Sequence, residues 1–386
     1  MFFLQFAVWG AWLPVISDYL KNDLGFTGSQ LGWVRGAMWL ACIVAPFVGG
    51  QIADRWMPTQ WFLAAAHLAS GVGLLVAAQQ QHFGALMVAM LVHCLFYAPT
   101  MALTNSLCFR HLSDVDAQFG SVRVFGTVGW IVVSWCLTFW RWGQAAPVAG
   151  DMLMLGGWCG VAMGVFCLFL PHTPPPERAR SPWAFLDAAR LLRDRQFLVF
   201  MVLAFLMSIG ARFYYVGTAP FLRDIGIARS NLPAVTTVGR FAEIAGQLML
   251  PFFLVHLGIK RSLAVGCSAW LARSLIFALC APVVVVVGSL ALHGIAFPLF
   301  FVVSQMYVDR VSPRDIRASA QALLTLVTLG LANFLGVLLT GVAIDALTGA
   351  DGATDWCWFF LISCGIMAVC VVGFLVWFRE PAKRAG

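Results

Sequence analysis

The chain has 386 residues, of which 61% are apolar and only 11% are charged, and its mean hydropathy is +0.86. Soluble domains contain about 25% charged residues, so this composition excludes a water-soluble enzyme and indicates a protein embedded in a bilayer. A bilayer span needs about 20 apolar residues, and about twelve such spans would leave no room for a sizeable soluble domain.

Apolar stretches alternate with short polar breaks along the chain and predict transmembrane helices. The alternating pattern of a membrane barrel is missing from these stretches. We therefore expect an all-α membrane protein with 12 transmembrane helices. The predicted spans are 2–20, 30–53, 60–79, 84–108, 119–140 and 150–171 in the first half, and 197–219, 232–255, 262–282, 284–307, 317–344 and 356–378 in the second.

The longest polar break, residues 172–196, follows the sixth predicted span. Its second part, from Trp183 to Asp194, separates apolar and charged residues onto opposite faces of a helix. The sequence therefore predicts an N-terminal six-helix half at 1–171, a cytoplasmic linker with an amphipathic helix at 172–196, and a C-terminal six-helix half at 197–386. Weak echoes between the halves suggest a pseudo-symmetric pair, as in transporters built by duplication.

The basic residues predict the orientation of the spans, because Lys and Arg concentrate on the cytoplasmic side. With a cytoplasmic N-terminus, 15 of the 24 Lys and Arg residues fall in inner segments, 4 in outer loops and 5 within spans. This asymmetry predicts that both termini are cytoplasmic. It also accounts for the net charge of +7 without any nucleic-acid partner.

Charged groups inside predicted spans are the strongest sign of function, because a charge in hydrocarbon is costly. Of the 17 acidic residues, only Glu243 lies well inside a span. Polar and aromatic groups share one helical face on four spans, which predicts a polar cavity within the bundle. They are Arg123, Thr127 and Trp130 on the fifth span, Arg212 and Tyr215 on the seventh, Arg240, Glu243 and Gln247 on the eighth, and His293 and Phe297 on the tenth.

Purely structural interpretations of these residues remain open at this stage. Arg240 and Glu243 could form an ion pair that only stabilises the fold, Arg123 could tie the inner end of its helix, and His293 could make an interhelical hydrogen bond. We assign structural roles to the buried groups that have no polar neighbour at helical spacing. These are Arg35, Arg273, His67 and His93.

The loop containing Asp54 and Arg55 resembles the loop signature of the major facilitator superfamily. Further segments, in the same order from about Gln5 to Trp358, are similar to the bacterial nucleoside:H⁺ symporters of that superfamily. The segments that carry this resemblance are 3–13, 97–105, 122–129, 251–260 and 311–321.

This resemblance implies a secondary active transporter of the bacterial inner membrane that imports nucleosides with protons by alternating access. It implies that Asp54 and Arg55 belong to the gate that closes the cytoplasmic side. Five positions match the family's binding residues, with Glu243 on the sugar and an aromatic ring stacking on the base. They are Arg123, Thr127, Trp130, Glu243 and Phe297.

Other positions depart from the family pattern. Arg212, Tyr215 and Arg240 stand where amide or amide-like residues are expected, and His293 replaces a tyrosine; all four are still assigned to the binding site. The acidic residue expected after the aromatic of the tenth span is Pro298. Proton coupling is therefore assigned to Glu243 and His293. The alternative is a carrier of an anionic or sugar-like solute, working as a uniporter because of Pro298.

The sequence does not favour other classes of membrane protein. The spans contain no nucleophile and base pair and no metal-binding motif, so we expect no enzyme, no catalytic residue, no metal and no cofactor. A channel would need a ring of like groups or a carbonyl filter. The expected partners are a small solute, protons and the lipid bilayer, and we expect a monomer.

Overall fold

A computed structural model describes residues 1–45, 47, 52, 55–146, 148–175, 183–313 and 316–380. Helices make up almost all of this part of the chain, and the single isolated β-bridge in it joins Thr348 to Thr354. The prediction of an all-α protein is confirmed.

The helices of the first half follow the predicted spans closely. A three-residue helix, Ile16–Asp18, and a π-helical segment, Tyr19–Asp23, extend the first of them. The helices are α1 (Phe2–Trp12), α2 (Gly28–Val44), α3 (Thr59–Ala77), α4 (Phe83–His111), α5 (Val115–Trp142) and α6 (Asp151–Cys167).

Several helices of the second half are longer and less regular than those of the first half. The backbone leaves the helical region at Gly258, whose φ is 69°, and this is where an inner loop is predicted. The helices are α7 (Arg195–Asp224), α8 (Leu232–Leu248), α9 (Leu250–Ala278), α10 (Val283–Val311), α11 (Arg317–Leu347) and α12 (Trp356–Val376).

Among the described helices, 8 are long and apolar enough to cross a bilayer. These are α3, α4, α5, α7, α9, α10, α11 and α12, while α6 is a shorter apolar helix. The predicted total of 12 spans stays a prediction, and part of the predicted second span lies outside the described residues.

The predicted amphipathic segment after residue 182 forms a helix, Ala184–Ala188, followed by a 3₁₀ turn, Ala189–Arg193. Ala188 is fully buried, and this short helix packs against α11. Residues 176–182 of the predicted linker lie outside the described part.

Contacts between residues divide the chain into two compact units. The first unit is Met1–Pro182 with Thr218–Thr237, and the second is Trp183–Gly217 with Val238–Gly386. In the first unit α3 packs against α4 and α6, and α1 packs against α5 and α6; in the second, α9 packs against α12. The predicted boundaries at 171 and 197 remain a prediction.

Ion pairs connect several helix ends of the first unit. The central pair joins Arg141 to Asp151, with Nε 2.7 Å from Oδ2 and Nη2 2.7 Å from Oδ1. Each of the four basic residues of the predicted outer loops has an acidic partner. The pairs are Lys21 with Asp224, Arg141 with Asp151, Arg223 with Asp18 and Asp23, and Arg229 with Asp23 and Asp151.

Candidate functional site

The predicted polar face of α8 is a compact hydrogen-bonded group in the second unit. Arg240 Nη1 lies 2.7 Å from Glu243 Oε2, and Gln247 Nε2 donates to Glu243 Oε1 at 3.2 Å. The three residues meet because positions three and four apart lie on the same side of a helix. The buried Glu243 carboxylate thus has a donor on each oxygen, as a buried charge requires.

His293 of α10 meets this group through a close approach of two helix backbones. A Cβ atom at Gly246 of α8 would overlap the backbone of Gly294 of α10, and one at Gly294 would overlap Ala242. Small residues at such crossings let helix backbones come together in membranes. The crossing places His293 Nε2 3.5 Å from Glu243 Oε2.

The helix that carries His293 and Phe297 is irregular on both sides of them. A 3₁₀ turn, Leu290–Leu292, precedes His293, and a π-helical segment, Pro298–Val302, follows Phe297. Proline has no N–H to donate within a helix, and π-helical turns are frequent at functional sites. The single α-helical turn between them holds the two rings 5.5 Å apart at their centroids.

Aromatic side chains of α7 and α9 surround His293. Tyr214 stacks on its ring with centroids 6.0 Å apart, while Tyr215 and Trp270 meet it edge-on at 5.9 and 5.7 Å. The Arg212 guanidinium lies over the Tyr215 ring, 4.3 Å from its centroid. All six residues that the sequence assigned to this part of the site, from Arg212 to Phe297, are therefore neighbours in one cluster.

Arg273 of α9 belongs to the same cluster, although the sequence pattern assigned it a structural role. Its guanidinium carbon lies 3.4 Å from the Tyr214 ring centroid and 4.2 Å from that of Trp270, and Nη1 lies 3.5 Å from His293 Nδ1. No polar residue accompanies it at helical spacing on its own helix, so periodicity missed it. The available signal was the arginine itself in the middle of an apolar span.

The three predicted residues of α5 lie together in the first unit. The Arg123 guanidinium carbon is 4.1 Å from the Phe6 ring centroid and 5.7 Å from that of Phe2. The Trp130 ring meets Trp9 edge-on at 5.9 Å, and Thr127 is half-buried between them along the helix. Arg123 thus rests on an aromatic surface of α1, a favourable cation–π arrangement.

Two buried histidines of the first unit have hydrogen-bond partners of their own. His67 Nε2 lies 2.8 Å from Gln5 Oε1, and His93 Nδ1 lies 2.8 Å from the Ser70 hydroxyl. The Gln5 amide also donates to Thr100 Oγ1 at 3.0 Å. These contacts agree with the structural interpretation of both histidines.

Arg35 also has structural contacts, donating to Ser17 Oγ at 2.8 Å and to the Leu13 carbonyl at 3.1 Å. Of the predicted cytoplasmic gate, Arg55 is exposed and Asp54 lies outside the described residues. The part of the chain that the structure describes contains no cluster of His, Cys, Asp and Glu that could hold a metal ion.

The second-unit cluster offers two kinds of recognition. Glu243, Arg240 and Gln247 can exchange hydrogen bonds with hydroxyl groups, because they combine a carboxylate acceptor with charged and neutral donors. Phe297 and the neighbouring rings can contact a planar heterocycle. A ligand with a polyhydroxylated part and a flat aromatic part fits this combination.

Comparisons with known proteins identify the family of this chain. Residues 1–383 match the family model of the nucleoside H⁺ symporters. YegT of Escherichia coli (strain K12) is 32% identical over 405 residues, covering 98% of this chain and 92% of YegT. The xanthosine permease of the same strain is 30% identical over 406 residues, covering 99% and 96%.

Solved structures confirm the major facilitator fold. The crystal structure of the nucleoside transporter NupG matches with a TM-score of 0.89 at 26% identity, covering 98% of both chains. A D-xylose-proton symporter shares the fold, with a TM-score of 0.72 at 14% identity and 98% and 96% coverage. The chain belongs to the nucleoside H⁺ symporter family.

Proposed function

We propose that this chain imports nucleosides together with protons by alternating access. The observation that carries the proposal is the buried cluster in which Glu243 contacts Arg240 and His293, with the Phe297 ring beside them. Membership of the nucleoside H⁺ symporter family supports the same function.

The ribose and the base of a nucleoside each suit a different part of the cluster. Ribose hydroxyls both donate and accept, so they suit the Glu243 carboxylate and its neighbouring donors. The base presents a flat surface that favours contact with the Phe297 ring. We propose that Arg212, Tyr215, Arg240 and His293 also contact the substrate, and that Arg123, Thr127 and Trp130 of α5 do so as well.

Glu243 is the proposed proton carrier, because it is the one acidic residue well inside the predicted spans. Proton binding and nucleoside binding are coupled if each favours the same conformation, and this coupling is reciprocal. We further propose that Asp54 and Arg55 close the cytoplasmic side, that both termini are cytoplasmic in the bacterial inner membrane, and that the chain works as a monomer.

Uptake by proteoliposomes tests the function directly. Purified protein should accumulate radiolabelled uridine, adenosine or xanthosine when the outside is acidic, and a protonophore should abolish the accumulation. Empty liposomes serve as the control. Failure of all three nucleosides to accumulate, or to exchange in counterflow, would contradict the proposal.

The substitution Glu243→Gln tests the carrier role, because it keeps the shape of the side chain and removes its exchangeable proton. We expect proton-driven accumulation to disappear while exchange of nucleoside at equal pH continues. Glu380→Gln is the matched control: Glu380 lies outside the predicted spans and its carboxylate is 3.7 Å from Arg310, so accumulation should be preserved. Undiminished accumulation by Glu243→Gln would remove Glu243 from the coupling role.

A second candidate substrate class is an anionic solute. The second-unit cluster contains three guanidinium groups, those of Arg212, Arg240 and Arg273, against one carboxylate. Pro298 in place of an acidic residue also favours uniport of such a solute over proton symport. If this alternative holds, proteoliposomes should take up a radiolabelled nucleoside monophosphate or sugar phosphate, and a protonophore should leave that uptake unchanged.

A further inference from the structure

Arg273 is a fully buried arginine on α9. Its Nε and Nη2 atoms have no hydrogen-bond partner in the described part of the chain. Its neighbours are instead the Tyr214 and Trp270 rings and His293 Nδ1. Arg35, the buried arginine of the first unit, bonds to a hydroxyl and a carbonyl oxygen, so the surroundings of Arg273 are of a different kind.

We propose that Arg273 is a positioning residue that holds His293 in the neutral Nε2–H tautomer, so that the Nε2–H group faces Glu243 and proton exchange is left to Glu243 alone. This proposal rests on the proposed function, and it changes the role of His293 from a second proton carrier to a neutral neighbour of the carboxylate.

The Arg273 guanidinium restricts the protonation of His293 Nδ1. An arginine side chain can only donate hydrogen bonds, and its Nη1 faces His293 Nδ1 at 3.5 Å. The Nδ1 atom must therefore present its lone pair. A neutral imidazole with a free Nδ1 lone pair carries its single proton on Nε2.

The other ring nitrogen of His293 faces Glu243. Its Nε2 atom lies 3.5 Å from Glu243 Oε2, without a hydrogen-bond partner in the described part of the chain. Glu243 accepts hydrogen bonds from Arg240 at 2.7 Å and Gln247 at 3.2 Å. A proton that binds Glu243 must compete with these two donors, while the neutral Nε2–H group adds a favourable dipole beside the carboxylate.

A protonated His293 would be repelled by Arg273. An imidazolium would carry a proton on Nδ1, directed at the Arg273 guanidinium, and would set two cations next to each other in a buried site. Like charges at such a separation disfavour protonation. Groups from every helix packed around His293 enter this balance: Arg240 and Glu243 from α8, Arg273 from α9, and Tyr214 and Tyr215 from α7.

The Tyr214 and Trp270 rings stabilise the charged guanidinium of Arg273 in its buried position. A guanidinium is attracted to the face of Tyr and Trp rings, most strongly where water is absent. The two rings are 5.6 Å apart and nearly perpendicular, so they hold Arg273 without an acidic partner. With no carboxylate to neutralise it in the described contacts, its positive charge acts on His293.

The pH dependence of uptake tests the proposal through the shape of the profile. In Arg273→Gln the restraint on His293 is lost, so the profile should gain an additional titration step between pH 5 and 8, the range of histidine. The double variant Arg273→Gln with His293→Gln should lose that step. Arg273→Lys keeps a cationic donor and should keep the wild-type profile.

Two single variants complete the comparison. His293→Gln keeps an amide donor near the Nε2 position, so uptake should fall while the pH profile keeps its shape. Arg35→Gln is the matched control for loss of a buried arginine, and it should lower uptake by the same factor at every pH. Loss of proton-driven accumulation in His293→Gln, together with an unchanged profile in Arg273→Gln, would overturn the proposal.

A spectroscopic readout separates this proposal from the proposed function. Nitrogen-15 solid-state NMR of the protein in liposomes, compared with His293→Gln to assign the signal among the 7 histidines, reports the tautomer without any transport. We expect a neutral, Nε2-protonated ring in the wild type at pH 6. A neutral Nδ1–H ring or an imidazolium at that pH would refute the role of Arg273, whether or not nucleosides are carried.

Discussion

At the scale of single residues, Glu243 shows how far helical spacing reaches. The spacing of Arg240, Glu243 and Gln247 predicted one polar face. In the structure, Arg240 and Gln247 both donate hydrogen bonds to the Glu243 carboxylate. Neighbours on one helix are a local property of the sequence, so they were predictable. The contact of Glu243 with His293, 50 positions further along the chain, depends on another helix and was not.

The substitution Arg123→Ala tests whether the first unit contributes to nucleoside binding. Arg123→Ala removes a charged donor, and such hydrogen bonds contribute about 1.5–3 kcal/mol, so we expect nucleoside uptake to fall roughly 10- to 100-fold. The measurement is initial uptake by proteoliposomes, with size-exclusion chromatography to show that the variant is folded.

Arg110→Ala is the control for Arg123→Ala. Arg110 is an exposed arginine at the end of α4 that donates to the Pro174 carbonyl, and its loss should leave uptake within about twofold of wild type, as is usual for surface positions. Normal transport by Arg123→Ala would remove Arg123 from the binding site.

At the scale of helices, small residues and helix irregularities position the side chains. The α8 and α10 backbones meet at Gly246 and Gly294, and the α-helical turn of α10 that carries His293 lies between a 3₁₀ turn and a π segment. Apolar periodicity predicted a continuous span here, because it reports burial and not backbone hydrogen bonding. The irregular segments required the tertiary structure.

Gly294→Ala tests the helix crossing. The added methyl group would overlap Ala242, so α8 and α10 must separate, and overpacking of this kind costs about 1–3 kcal/mol. We expect thermal stability in detergent to fall and uptake to fall at least about tenfold, since Glu243 moves away from His293. Gly288→Ala on the same helix is the control: a Cβ there meets nothing within 4 Å. Equal behaviour of the two variants would contradict the packing argument.

Asp151→Asn tests the ion pair between α5 and α6. The side chains of Arg141 and Asp151 are 4% and 2% exposed, and breaking a buried pair costs about 3–5 kcal/mol because the remaining charge stays buried. The measurement is the thermal unfolding midpoint of the solubilised protein.

Asp309→Asn supplies the comparison for that experiment. Arg317 and Asp309 form a pair whose side chains are 44% and 50% exposed, and exposed pairs contribute only about 0–1 kcal/mol. The midpoint should therefore fall much further in Asp151→Asn than in Asp309→Asn. Equal shifts would mean that burial does not determine the strength of these pairs.

At the scale of the whole molecule, composition indicates a membrane protein and the distribution of charge predicts its orientation. Most Lys and Arg residues fall in predicted inner segments, and the basic residues of the predicted outer loops each have an acidic partner in the structure. The two candidate substrate classes, a nucleoside with a proton and an anionic solute, differ in the net charge that crosses the membrane in each transport cycle.

A membrane potential measures that charge. If one proton accompanies a neutral nucleoside, a potential of about 100 mV, negative inside, contributes about 2.3 kcal/mol and should raise the equilibrium accumulation ratio roughly 50-fold. A monoanionic solute carried by uniport moves one negative charge inward, so the same potential should lower its accumulation ratio by a similar factor. Potassium-loaded proteoliposomes diluted into potassium-free buffer with valinomycin provide the measurement, and proteoliposomes with equal potassium on both sides are the control.

The sequence by itself determined the membrane class, the helical segments and the polar faces of α5 and α8, because composition and helical spacing are local properties of the chain. Only the tertiary structure decided which faces meet. The contact of His293 with Glu243 depends on two glycines at a helix crossing, and the contact of Arg273 with Tyr214 depends on a ring from α7. Periodicity along one helix carries no information about the helix opposite, so it could not show that Arg273 lies beside His293.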